Sequence, residues 1–193
     1  MITAVEFSAA FVACYQEARR RWDLEWQRIW ATDPAWSGLM IWEPDAVIRQ
    51  VAERLELQCF SGEPLHLDAV FHAPGDRWRW FPIRVAVEHE NAWPSFDQEV
   101  RKLLSVRCPL KVGITYTLSG HVSGDRSRLP ALHAMIAGAI SREFAAASAV
   151  IREDPATEYL FLIGSEEERD QELVWRQLAF RADSGPRDAT FKL

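Results

Sequence analysis

Trp80-Phe-Pro-Ile-Arg-Val-Ala-Val-Glu-His-Glu-Asn91 opens as a β-branched, alternating run and closes in carboxylates. That is the pattern of a strand that carries buried residues up to a site. Side chains on a strand alternate with period two, so Ile83, Val85, Val87 and His89 share one face while Arg84, Ala86, Glu88 and Glu90 share the other. The two acids stand on one surface, their Cα atoms roughly 7 Å apart at ~3.3 Å rise per residue. At an effective dielectric of ~20, two charges at that separation repel by about 2.4 kcal/mol. A positive group is expected between them; Arg84 on the same face is the plain structural candidate.

Working outward, Leu65-His-Leu-Asp-Ala-Val-Phe71 alternates again, with Leu67, Ala69 and Phe71 on one face and His66, Asp68 and Val70 on the other. The turn signal Ala73-Pro-Gly-Asp76 follows, so the two runs read as an antiparallel pair that brings Asp68 beside Glu88. Downstream, Asn91-Ala-Trp-Pro-Ser95 is a break, and Ser95 with Gln98 has the spacing of a capping box. A helix is expected there with Phe96, Val100, Leu103 and Leu104 inward and Gln98, Arg101 and Lys102 away from them. Leu110-Lys-Val-Gly-Ile-Thr-Tyr-Thr117 is a further strand. Strand, helix and strand at this spacing make a crossover and a parallel pair. Three carboxylates, Asp68, Glu88 and Glu90, converging on one spot are hard-cation chemistry, because Mg²⁺ takes oxygen ligands and keeps several waters.

An Asp on one strand, an acid pair at the end of the next (88 − 68 = 20 residues on), then helix and strand, resembles the PD-(D/E)XK nuclease superfamily. The resemblance covers about Glu43 to Thr117. It makes Asp68 the motif's Asp and Glu88 its (D/E); Glu90 stands where the common pattern has Lys, an E-x-E variant, and Leu67 stands where it has Pro. The resemblance implies an α/β restriction-endonuclease-like fold, a mixed β-sheet flanked by helices. It also implies metal-dependent phosphodiester hydrolysis of nucleic acid, DNA being the expected partner. Asp68, Glu88 and Glu90 would hold Mg²⁺ or Mn²⁺, and Lys102 would stand in for the motif lysine. The alternative is a catalytically inactive nuclease-fold module that binds or regulates, and an unrelated α/β interaction protein is a third reading.

Lysine usage points the same way. Of 22 basic residues only Lys102, Lys111 and Lys192 are lysines, and two of them lie near the proposed site. An ammonium is a point charge that can hold a phosphate or a water, which a guanidinium does differently. The plain reading of both, and of Glu88, Glu90 and Asp68, is a solvated polar face; His89, on the apolar face, reads as a hydrogen-bonded core histidine.

The remaining chain frames this core. Val5 to Trp30 reads as a long amphipathic helix with Phe7, Phe11, Cys14 and Ala18 on one stripe and Trp22, Trp26 and Trp30 continuing it. Asp33-Pro-Ala-Trp-Ser-Gly38 reads as its break. A helix from Glu43-Pro44 to about Leu55 puts Val47, Ile48, Val51 and Leu55 inward and Glu53 opposite, a minor candidate on the resemblance. Leu57–Phe60 starts the sheet, Leu129–Val150 is an Ala-rich helix, and Glu158–Ile163 with Leu173–Phe180 make a hairpin. The expected organisation is an N-terminal helical extension over 1–42, the α/β core over 43–181 and a tail over 182–193.

Composition bounds the partners. The 193 residues are 48% hydrophobic and 26% charged, ordinary for a globular chain. No apolar run approaches the ~20 residues of a membrane span and no signal-peptide pattern stands at the N-terminus, so a cytoplasmic location without membrane is expected. Cys14, Cys59 and Cys108 are isolated and lack paired spacing, so neither a zinc site nor a disulfide framework is indicated. A net charge of −6 argues against a general nucleic-acid binder with a basic footprint, while Arg19-Arg-Arg21, Arg77 with Arg79, and Arg126 with Arg128 leave local basic clusters. The tryptophan stripe leaves a homodimer open.

Overall fold

The computed structural model describes residues 1–25, 29, 32–62, 64–76, 82–117, 128–146, 154–166 and 173–185. Helix α1 (Ala4–Arg21) starts at a capping box in which Thr3 and Glu6 exchange hydrogen bonds. Its continuation is a short 3₁₀ turn at Asp23–Glu25; Trp26 and Trp30 lie outside the described residues. The expected break at Asp33-Pro-Ala-Trp-Ser-Gly38 is instead helical. Pro34 sits in the first turn of α2 (Asp33–Ser37), and Gly38 stays right-handed and leads into a π turn over Gly38–Trp42, because proline costs nothing in a first turn where no N–H is needed. Helix α3 follows (Val47–Arg54), with Val47, Ile48 and Val51 buried and Glu53 exposed.

Strands β1 (Gln58–Ser61), β2 (Ala69–His72) and β3 (Val85–Glu90) form an antiparallel meander. Between β2 and β3 the Ala73–Asp76 turn forms as read, with Gly75 at φ 86° and the Asp76 carboxylate accepting the Ala73 N–H. Helix α4 (Phe96–Leu104) crosses to β4 (Leu110–Tyr116), parallel to β3 with Glu88 opposite Gly113. Helix α5 (Arg128–Ala146) crosses to β5 (Glu158–Glu166), parallel to β4, and β6 (Leu173–Arg181) closes the sheet antiparallel to it. The protein is thus α/β, with one six-stranded mixed sheet in the order β1 to β6 flanked by helices. Among the described residues no helix is long and apolar enough to cross a membrane.

Each face of the sheet has its own core. Phe7, Phe11 and Cys14 of α1 and Val47, Ile48 and Val51 of α3 pack on Phe71, Val85, Val87, Val112 and Leu160. Phe96, Val100 and Leu103 of α4 and Leu132, Ile136 and Ile140 of α5 pack on Val70, Ala86, Tyr159 and Phe161. The N-terminal helix is therefore part of the same core as α3.

Three local readings are corrected. The alternation from Leu65 is interrupted because Leu65 and His66 take positive φ (56° and 64°) in a turn at Pro64–His66. As a result Leu67 enters the α4–α5 core while Ala69 and Phe71 enter the other. Ile83 precedes β3 and packs on the α4–α5 core, opposite to Val85 and Val87. The capping box at Ser95 does not form: its hydroxyl donates to the Ala92 carbonyl within a 3₁₀ turn.

Gly113 is what lets α4 lie flat beside Glu88, since a Cβ there would stand 2.7 Å from Phe96 Cζ and 2.8 Å from Phe161 Cδ1. Gly113→Ala is expected to cost about 1–3 kcal/mol by overpacking, read as a lower urea midpoint, and Phe96→Leu in the same chain should recover part of that loss.

Candidate functional site

The C-terminal end of β3 and the bend before β2 meet under α4. Ala69 stands opposite Val87 in the β2–β3 ladder, so one further step of the register brings Asp68 to Glu88. Asp68 Oδ2 accepts the backbone N–H of His89 at 2.7 Å, which fixes its carboxylate over the strand end. Burial holds Asp68 above its usual range, against the hydrogen bonds from His89 and Glu88 that favour its charge.

Glu88 is fully buried, 0% exposed, and among the described residues neither of its oxygens meets an N–H or hydroxyl donor. A buried carboxylate in that position is costly. Its carboxyl is accordingly held well above the usual range, first by burial, then by contact with Glu99 and the charges of Asp68 and Glu99, with Lys102 opposing. The group therefore keeps its proton to higher pH than an ordinary carboxyl.

Lys102 supplies the positive group, where Arg84 is exposed to solvent. Its Nζ is 2.5 Å from Glu99 Oε2 and 3.8 Å from Glu88 Oε2. Burial alone lowers the Lys102 pKa, but the Glu99 hydrogen bond and the charges of Glu88, Glu99 and Asp68 outweigh it, and the ammonium sits above its ordinary value. It is a permanent cation on one turn of helix with Glu99, whose side chain is nearly buried.

The third carboxylate of the cluster is therefore Glu99, not read from the sequence. Its signal was present: Phe96, Glu99, Val100 and Leu103 have the i, i+3, i+4, i+7 spacing of an inward stripe, so the acid falls on the apolar seam of α4. Glu90 shares the parity of Glu88 but turns away along the chain, its Oε1 accepting the Ala92 N–H at 2.8 Å. Asp68, Glu99 and Lys102 are the groups that act on Glu88.

The other proposed residues take structural positions. His89 faces the α1–α3 core, where its Nε2 is 2.8 Å from the Tyr116 hydroxyl, and burial pushes its pKa down to about 3. Lys111 is buried with its ammonium 5.3 Å from the Tyr159 ring centroid, a cation on an aromatic face, rather than a solvated lysine. Arg19 and Arg21 pair with Asp23 and Asp45, and Arg77, Arg79 and Arg126 lie outside the described residues. Among the described residues no group of three or more His, Cys, Asp or Glu side chains is arranged to hold a metal ion.

No family model, curated protein or solved structure matches the chain.

Glu88 links this geometry to stability. Its folded pKa is raised, so its contribution is fully present below the ordinary carboxylate value of 4.5 and is lost as pH rises toward the folded pKa. Urea unfolding in EDTA should show the wild type losing stability relative to Glu88→Gln as pH increases from 5 to 9, with a slope of at most about 1.4 kcal/mol per pH unit. Parallel pH profiles for the two proteins would contradict the buried, neutral carboxyl.

Proposed function

We propose that this chain is a metal-dependent phosphodiesterase acting on nucleic acid, with DNA as the first substrate to test, built on a PD-(D/E)XK nuclease plan. The observation that carries the reading is Glu88, a buried carboxyl at the end of a central strand that no N–H or hydroxyl donor satisfies among the described residues, set against Asp68 with a lysine ammonium 3.8 Å away. The order of elements supports it: a helix, an antiparallel three-strand meander, a crossover helix and a parallel strand, with Asp68 just before the second strand of the meander and Glu88 on the third.

The donor set fits a hard divalent ion. Mg²⁺ uses one or two carboxylates, keeps several waters and relies on substrate phosphate for the rest, so Asp68 and Glu88 suffice without a full cage of protein ligands. Asp68 and Glu88 would hold the ion, Glu99 stands beside them paired with Lys102, and binding requires Glu88 to give up its proton. When bound, Mg²⁺ supplies Lewis-acid polarisation of a phosphoryl oxygen and a water of lowered pKa.

The residues of the chain do the positioning. Glu99 clamps Lys102 by its 2.5 Å contact, so the ammonium is held at one place rather than searching on a flexible stem. A lysine kept protonated is an electrostatic partner for a phosphate and for charge developing on it, not a general base. The His89 N–H fixes Asp68, and the apolar residues of α4 keep water from the inner side of Glu88.

The same four groups can also balance one another without metal, with Glu88 neutral and Lys102 facing the carboxylates of Asp68 and Glu99, which is the arrangement an inactive binding module would need. Cleavage assays separate the two readings. With Mg²⁺ and a DNA oligonucleotide, Asp68→Ala and Glu88→Gln should each reduce turnover at least about a hundredfold, Lys102→Ala should reduce it by about ten- to a hundredfold, and Glu90→Gln should leave it unchanged. Full activity in Asp68→Ala would remove the proposal; a wild type inert toward DNA and RNA with any divalent ion would favour the binding module.

A further inference from the structure

Glu88 is closed to solvent while the cation beside it is not. The Lys102 side chain is 42% exposed, against 0% for Glu88 and 12% for Glu99. Its stem runs from solvent to the buried acids. The ammonium therefore stands where an ion arriving along that stem would meet Glu88.

The two contacts of the ammonium are unequal. At 2.5 Å from Glu99 Oε2 it makes a short, charge-assisted hydrogen bond. At 3.8 Å from Glu88 Oε2 it is beyond hydrogen-bonding distance, near enough to balance charge without satisfying the oxygen. Glu99 and Lys102 are three residues apart on α4, neighbours on one helix surface, so their pair does not depend on Glu88. A divalent ion takes a carboxylate oxygen at about 2.0–2.1 Å and with twice the charge. It would win Glu88 from the ammonium and repel it across a few ångströms.

We propose that Glu99 is a positioning residue that keeps the Lys102 ammonium as a displaceable counter-ion of Glu88: a divalent ion joining Asp68 and Glu88 takes the ammonium's place, and Glu99 retains the displaced lysine on α4. The inference rests on the metal-site reading above and adds what fills the site before metal arrives. The room for the ion is the room the ammonium gives up. The flexible four-carbon stem of an exposed lysine allows that movement without parting α4 from the sheet.

Calorimetric titration of Mn²⁺ alone, without nucleic acid, tests the exchange. Lys102→Gln removes the charge and keeps a hydrogen-bond donor for Glu99, and it should bind Mn²⁺ at least about tenfold more tightly than wild type, since a positive charge a few ångströms from a divalent ion is gone. Glu99→Gln frees the ammonium to settle on Glu88 and should weaken Mn²⁺ binding; in the Lys102→Gln background the same substitution should matter less, because Glu99 acts through the lysine. A readout in the wild-type chain comes from lysine labelled with ¹³C at Cε, which gives one signal for each of Lys102, Lys111 and Lys192. The signal missing from Lys102→Gln should shift on addition of Mg²⁺ while the other two stay. A Lys102 signal unmoved by Mg²⁺, or an equal effect of Glu99→Gln in both backgrounds, would overturn the proposal. Mn²⁺ binding that Lys102→Gln leaves unchanged sinks the exchange and keeps the metal site. Absence of Mn²⁺ binding to both proteins also sinks the exchange, and binding to Lys102→Gln alone supports it. Exchange observed in a protein that cleaves no nucleic acid sinks the nuclease reading and leaves the counter-ion role intact.

Discussion

A carboxyl group sealed inside a sheet end without a donor sets the terms for everything around it. Glu88 has no solvent and no N–H or hydroxyl donor among the described residues, and placing a charge there unaided would cost several kcal/mol. The surroundings answer in two ways. Lys102 is brought to 3.8 Å by a helix whose Glu99 holds it, and the Glu88 carboxyl is held well above the usual carboxylate range. An apolar residue would be the stabler choice at this place, and the proposed cation site is argued from that departure.

The fold serves this one group. The β2–β3 ladder delivers Asp68 to it, the parallel crossover lays α4 across it, and Gly113 on the neighbouring strand leaves the gap that Phe96 fills. The opposite face of the same strand is an ordinary core, closed by the His89–Tyr116 hydrogen bond and the packing of α1 and α3. One strand thus separates two environments by parity alone. The face that carries Glu88 also carries Thr115 and Thr117.

Much of this was legible in the chain. The alternation of Val85 to Glu90 gave the strand and the face of Glu88, the Ala73–Asp76 turn gave the antiparallel partner and with it Asp68, and the spacing to Leu110 gave the parallel crossover. Other parts were hidden for physical reasons. Leu65 and His66 adopt left-handed backbone, uncommon for residues other than glycine, so the expected strand was too long and Leu67 changed sides. Pro34 and Gly38 read as a break, yet both are compatible with a helix start and a π turn. Glu99 was passed over because a charged residue on an amphipathic helix is normally assigned to water; only its place on the Phe96–Leu103 seam distinguished it. Glu90 had the right parity but lies at the strand's last position, where the next turn offers its carboxylate a backbone N–H instead.

Glu88 as an acid kept for a cation is the central proposal. The most direct measurement is calorimetric titration of Mn²⁺ at pH 7 into wild type and Glu88→Gln, with a non-cleavable DNA oligonucleotide present so that substrate phosphate can complete the coordination. Binding to wild type with release of a proton to the buffer, lost in Glu88→Gln, is the predicted result. Equal heats for the two proteins, or no binding to either, would contradict it.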